Sequence, residues 1–195
     1  MDRIGRRQAL ALVLVTALAG CGGMQIDDFT GSNRPDLVLE EFFAGPVEGW
    51  GVMQSRFGTL QRQFTIEARG SWDERERTLQ LVETYRFDDG QEDRLEWRLT
   101  RVDERRYVGT EPHVVGEAEG EQAGNAFHWT YTRDVPGEDG STRLGFDDWF
   151  WLQPGGVLIS RASVTKLGIE VATLSVFYRR PGAEAEPRPS AGRSP

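Results

Sequence analysis

Apolar side chains occupy every second position along much of this chain. Phe64, Ile66 and Ala68 alternate with Gln63, Thr65 and Glu67. Leu79, Leu81, Tyr85 and Phe87 share one phase, as do Leu95, Trp97 and Leu99, and then Phe127, Trp129 and Tyr131. A period of two marks strands with one buried face. Segments 106–110, 114–120, 143–153, 157–165 and 169–180 extend the series to about nine or ten strands. Turn sequences such as Asp88-Asp89-Gly90 and Gln153-Pro154-Gly155-Gly156 separate them at hairpin spacing. Helical periodicity is confined to Pro35–Phe43, with Gly45-Pro46 as its stop. The expected fold is therefore all-β: an antiparallel, lipocalin-like (calycin-type) up-and-down barrel with a short N-terminal helix. Closure favours it over a sandwich, because a long meander otherwise leaves unpaired edges. A membrane-spanning barrel does not fit, since Gln61–Arg69 and Glu92–Arg101 carry charges on the faces that would meet lipid.

The first residues follow a different pattern. Arg3, Arg6 and Arg7 precede an apolar run, Ala9–Ala19, that is shorter than the roughly 20 residues of a membrane helix. The run ends in Leu18-Ala19-Gly20-Cys21, small residues before a lone cysteine. This reads as a lipoprotein signal peptide over 1–20, with Cys21 as the lipidated first residue of the mature chain. No intramolecular disulfide is possible with one cysteine. Residues 21–34 read as the lipidated tether and 35–180 as the barrel domain. The Pro-, Ala-, Glu- and Ser-rich segment 181–195 reads as a disordered tail. Gly22, rather than Asp, follows Cys21. By likeness to bacterial lipoproteins in general, this points to the outer membrane, with the domain facing the periplasm.

The formal net charge of −8 disfavours a nucleic-acid partner, which attracts a basic face. Membrane affinity then falls to acyl chains on Cys21 rather than to surface charge. His113 and His128 are the only histidines and have no zinc-site spacing. No nucleophile elbow or phosphate loop is present, so no metal or cofactor is expected and an enzyme is the least favoured reading.

One stretch carries candidate chemistry: Gly145-Phe146-Asp147-Asp148-Trp149-Phe150-Trp151. Alternation puts Phe146, Asp148 and Phe150 on one face, with Asp147, Trp149 and Trp151 on the other. The two aspartates therefore do not act on one atom. A two- or four-residue loop at Gln153–Gly156 would set Leu152 opposite Val157 and Asp148 opposite Arg161. A three-residue loop would oppose Asp148 to Ala162. The first register gathers the apolar residues on one face and gives the buried acid a bidentate partner. Glu83 is a second acid on an apolar face. The site expected from these patterns is an interior chamber in which Arg161 meets the head group of a fatty acid or lipid fragment. Asp148 and Glu83 would lie nearby, and Trp97, Trp129, Phe146 and Phe150 would line the wall. The competing reading makes the same charges an internal salt-bridge network in a filled core. Trp149 and Trp151 then need a cover, for which Pro35–Phe43 is the candidate, or they form a docking face for an envelope protein partner.

Several stretches together resemble the DUF3833 family of bacterial lipoproteins. They are the box ending at Cys21, Gly70-Ser71-Trp72-Asp73, Val114-Val115-Gly116 running to Gly124-Asn125, Phe146-Asp147-Asp148-Trp149, and Arg161-Ala162 to Lys166-Leu167-Gly168. The resemblance spans about Leu37 to Tyr178. It implies a periplasm-facing lipoprotein and hints at lipid chemistry, without assigning an activity.

Overall fold

A computed structural model describes residues 23–31, 34–137 and 140–182. The leader, Cys21 and the tail beyond residue 182 lie outside the described residues. Ten antiparallel strands form one closed barrel. They are β1 (Gly45–Ser55), β2 (Leu60–Asp73), β3 (Thr78–Phe87), β4 (Glu92–Arg101), β5 (Arg106–Thr110), β6 (Ala118–Ala123), β7 (Ala126–Gly137), β8 (Gly140–Leu152), β9 (Val157–Lys166) and β10 (Ile169–Arg179). Each strand pairs with its sequence neighbours, and β1 closes the ring on β10, with Trp50 opposite Phe177. This is the up-and-down barrel that the alternation predicts. The sixth strand starts at Ala118, later than the expected Val114; Val114 makes only an isolated bridge to Arg133.

The helix is shorter than expected. Within Pro35–Phe43 only α1 (Leu39–Phe43) is helical, and the chain then enters β1 directly at Gly45 and Pro46. Its placement also differs from the expectation. Instead of covering Trp149 and Trp151 from outside, α1 plugs one end of the barrel. Leu37, Leu39, Phe42 and Phe43 are buried in the core cluster with Leu79, Leu99, Phe127 and Tyr178. The close fit depends on Gly70, where a Cβ would sit 2.5 Å from the Phe43 carbonyl oxygen. The apolarity of α1 on both sides explains the outcome, since Leu39, Phe42 and Phe43 all need burial and only the barrel end supplies it. A latch holds the plug: Glu40 accepts from Tyr107 Oη at 2.8 Å and pairs with Arg101 at 2.8 Å.

The outer cover comes instead from the segment read as a tether. Ile26–Phe29 forms a 3-10 turn, and Phe29 packs on Trp149 with ring centroids 5.9 Å apart. Arg105 fixes the turn through Asp27 at 2.6 Å. At the opposite end of the barrel the apolar side chains Phe57, Leu60, Leu167 and Ile169 are exposed at the β1–β2 and β9–β10 hairpins.

The β8–β9 hairpin adopts the three-residue loop. Pro154-Gly155 makes a turn closed by Gly156 N–H donating to the Gln153 carbonyl at 3.2 Å. Gly155 (φ 83°) and Gly156 (φ 72°) take conformations that favour glycine. Leu152 therefore faces Leu158, Phe150 faces Ser160 and Asp148 faces Ala162. Arg161 lies opposite Trp149 on the outer face and is exposed. The expected Asp148–Arg161 pair does not form.

Candidate functional site

Inside the barrel, above the plug, is a cavity of about 330 Å³. Its lower wall is apolar, with Leu39, Phe43, Phe127 and Phe150. Its middle is aromatic and acidic, and its upper wall carries Tyr85, Phe87, Phe146, Leu144 and two arginines, Arg62 and Arg133. The sequence pattern placed Glu83, Asp148, Trp97, Trp129, Phe146 and Phe150 on interior faces, and all six line this cavity. Arg161 does not, for the register reason given above.

Asp148 is 6 % exposed. It sits opposite Trp129 in the β7–β8 ladder, where Phe146 faces Tyr131. The pairing explains its partners: Trp129 Nε1–H and Tyr131 Oη–H both donate to Oδ2, each at 3.1 Å. The other oxygen, Oδ1, is buried and has no protein partner. Glu83, also 6 % exposed, comes from β3 and accepts from Tyr178 Oη at 3.3 Å. The Trp97 indole acts on the same carboxylate.

These donors are neutral. Burial dominates, and it pushes the Glu83 carboxyl up to about 7, against the pull of Tyr178 and Trp97. Burial likewise raises Asp148 to about 7, against Trp129 and Tyr131 and helped by the charges of Asp147 and Glu83. The tyrosine hydroxyls of Tyr85, Tyr131 and Tyr178 are pushed well above their ordinary value by burial and by the two acids, so they stay protonated.

The aromatic wall is continuous. Trp97 and Trp129 have centroids 4.6 Å apart, Trp97 meets Tyr131 edge-on at 5.2 Å, and Tyr131 stacks on Phe146 at 4.8 Å with rings 4° apart. These contacts fix the ring faces around the acids.

The mouth is organised by a different chemistry. Arg133, 3 % exposed, pairs with Asp93 at 2.9 Å and with Glu111 at 3.3 Å. Arg62 lies over the Phe87 ring at 3.7 Å and pairs with Asp89 at 2.6 Å. The sequence reading missed both arginines, although Arg133 is in phase with Phe127, Trp129 and Tyr131, and Asp93 with Leu95 and Trp97. Asp147 and His128 stand outside the barrel, 3.0 Å apart, with the imidazole stacked on Trp149. Among the described residues, no group of three or more His, Cys, Asp or Glu is placed to hold a metal ion.

Residues 15–180 match the family model described as "Protein of unknown function (DUF3833)". Comparison with curated protein sequences finds no match. Among solved structures, an S-type phycobiliprotein lyase from Guillardia theta is similar, with a TM-score of 0.53 and 10% identity over 73% of this chain and 90% of that one. A DUF3598-family protein of unknown function from Nostoc punctiforme is similar at a TM-score of 0.52 and 11% identity, covering 75% of this chain and 50% of that chain. At these identities the likeness shows the fold alone, a calycin-type barrel.

Proposed function

The chain belongs to the DUF3833 family, and we propose that it is a lipid-anchored binding protein that holds one small amphiphile inside its barrel. The observation that carries this reading is the chamber itself: about 330 Å³ of space, apolar at the bottom and polar at mid-height, in a barrel closed at one end by α1. A filled core would have favoured an assembly role; a preformed apolar chamber with a few convergent polar groups is the ordinary form of a ligand site. Eight-stranded barrels hold one small ligand, and ten strands leave more room. The reading also takes Cys21 as the acylated residue that ties the domain to the outer membrane, on the strength of Leu18-Ala19-Gly20-Cys21. The chamber would face the periplasm. A fatty acid bound through Arg161 is not part of it, because that arginine is outside the wall.

Titration of the full chain carrying Cys21→Ser with N-phenyl-1-naphthylamine, a neutral apolar fluorophore, tests the chamber. Saturable one-site enhancement is expected, and Ala162→Phe, which drives a ring into the cavity, should abolish it. Enhancement that never saturates, or that survives Ala162→Phe, counts against an interior site. Labelling of wild type but not Cys21→Ser with radioactive palmitate tests the anchor.

A further inference from the structure

At mid-height the chamber carries two acids and no base. Asp148 and Glu83 are each buried and receive hydrogen bonds only from neutral tyrosine and tryptophan donors. The arginines that line the same cavity sit at the mouth, where Arg133 pairs with Asp93 and Glu111 and Arg62 with Asp89; Arg62 Nε is buried there without a partner in the protein. Buried carboxylates are normally paired with a cation, because an unpaired charge in a low dielectric is costly. Here one oxygen, Asp148 Oδ1, has no partner in the protein. The rings beside it, Trp97, Trp129, Tyr131 and Phe146, form a wall whose faces attract cations.

From this geometry we propose that the chamber selects an amphiphile bearing a cationic nitrogen, a protonated amine seated between Asp148 and Glu83 with its apolar body against the plug. The inference rests on the reading that the chamber takes a small molecule, and it names the polar end of that molecule. The ammonium donates one N–H to Asp148 Oδ1 and another to Glu83, and its charge faces the Trp129 and Tyr131 rings. Below this level the lining is apolar apart from Ser160, with Leu39, Phe43, Phe127 and Phe150 for the hydrocarbon. An anionic head group at the same height would meet two acids and no free base. A neutral alcohol would gain one hydrogen bond without the charge.

Three probes of equal chain length separate these cases: decylamine, decanol and decanoate, titrated at pH 7.5 into the full chain carrying Cys21→Ser, with tryptophan fluorescence as the readout. Charge-assisted hydrogen bonds should make decylamine roughly ten- to a hundredfold tighter than decanol, with decanoate weakest. Asp148→Asn should erase most of that preference, and an unchanged circular dichroism spectrum shows that the variant is folded. Glu83→Gln should give the same, smaller loss. Decanoate binding as tightly as decylamine, or a preference untouched in both variants, overturns the cationic assignment while the chamber reading survives. Failure of all three probes, and of the neutral fluorophore, overturns both.

Discussion

Two buried acids at different heights of the barrel have opposite surroundings. Glu40, in the plug, is 7 % exposed and meets Arg101 and Tyr107, each at 2.8 Å. Asp148, in the chamber, is 6 % exposed and meets only Trp129 and Tyr131, with one oxygen left over. The same contrast separates the mouth, where Arg133 is shared by Asp93 and Glu111, from the middle. Wherever this chain uses a buried charge structurally, it supplies the counter-charge. The exception lies where a ligand has room to supply it.

The largest effect should come from the paired end. Arg133→Ala leaves Glu111 buried and Asp93 half-buried without a cation, and losing one partner of such a pair costs about 3–5 kcal/mol. A fall in thermal midpoint well beyond that of surface variants is expected in scanning calorimetry. Removal of a structural cation from the mouth with no loss would dissolve the comparison.

Asp148→Asn should act in the other direction. The folded carboxyl is raised to about 7 from an ordinary 3.8, and Glu83 to about 7 from 4.5. Below the lower values, folded and unfolded chains both hold the protons, and ionisation costs nothing. Between about pH 4 and 7 the unfolded chain releases protons that the fold retains, so stability falls as pH rises, and above 7 the penalty is complete. Glu83, Tyr85, Tyr131 and Tyr178 surround Asp148, with Asp93 and Arg133 towards the mouth and Asp147 outside; Glu83 is the one that titrates with it. Asp148→Asn removes its own share, so a gain of roughly 4 kcal/mol at pH 8 that vanishes near pH 4 is expected from urea unfolding. Equal stability of the two proteins across that range would mean that Asp148 is already satisfied.

A smaller loss is expected for Glu40→Gln. Arg101 is partly solvated, and the amide keeps one acceptor for Tyr107, so the cost should be about 1–2 kcal/mol. Uptake of the neutral fluorophore should be unchanged, because the latch lies below the cavity lining. Lost uptake at full stability would show that the plug and chamber are coupled.

The barrel was legible because alternation is a local signal that repeats in every strand. The same signal assigned Asp148, Glu83, Trp97, Trp129, Phe146 and Phe150 to the interior. It failed at β9, whose residues are apolar in both phases: Val157 and Ile159 in one, Leu158, Ala162 and Val164 in the other. There the hydrophobic pattern cannot choose a register, and the parity of the loop decides it. Two glycines at positive φ made that choice, a property of backbone conformation that residue identity only suggests. The location of α1 was hidden for a related reason, since a short helix apolar on several sides needs burial but does not say against what. Arg133 and Asp93 were in phase with their strands and could have been found by extending the alternation past Tyr131 and back from Leu95.

Arg161 carries the smallest expected effect and the sharpest contrast with Asp148. In the register with Asp148 opposite Arg161, Arg161→Ala would strip a buried carboxylate of its cation and cost several kcal/mol. In the observed register the side chain is exposed beside Trp149 and Ser175, and Arg161→Ala should change stability by no more than about 0.5 kcal/mol. Decylamine affinity should be unaltered, because no part of Arg161 enters the chamber wall. A single exposed arginine thus reports the parity of a hairpin loop. A strongly destabilised or binding-defective Arg161→Ala protein would put the arginine inside, return a counter-charge to Asp148, and remove the reason for a cationic ligand.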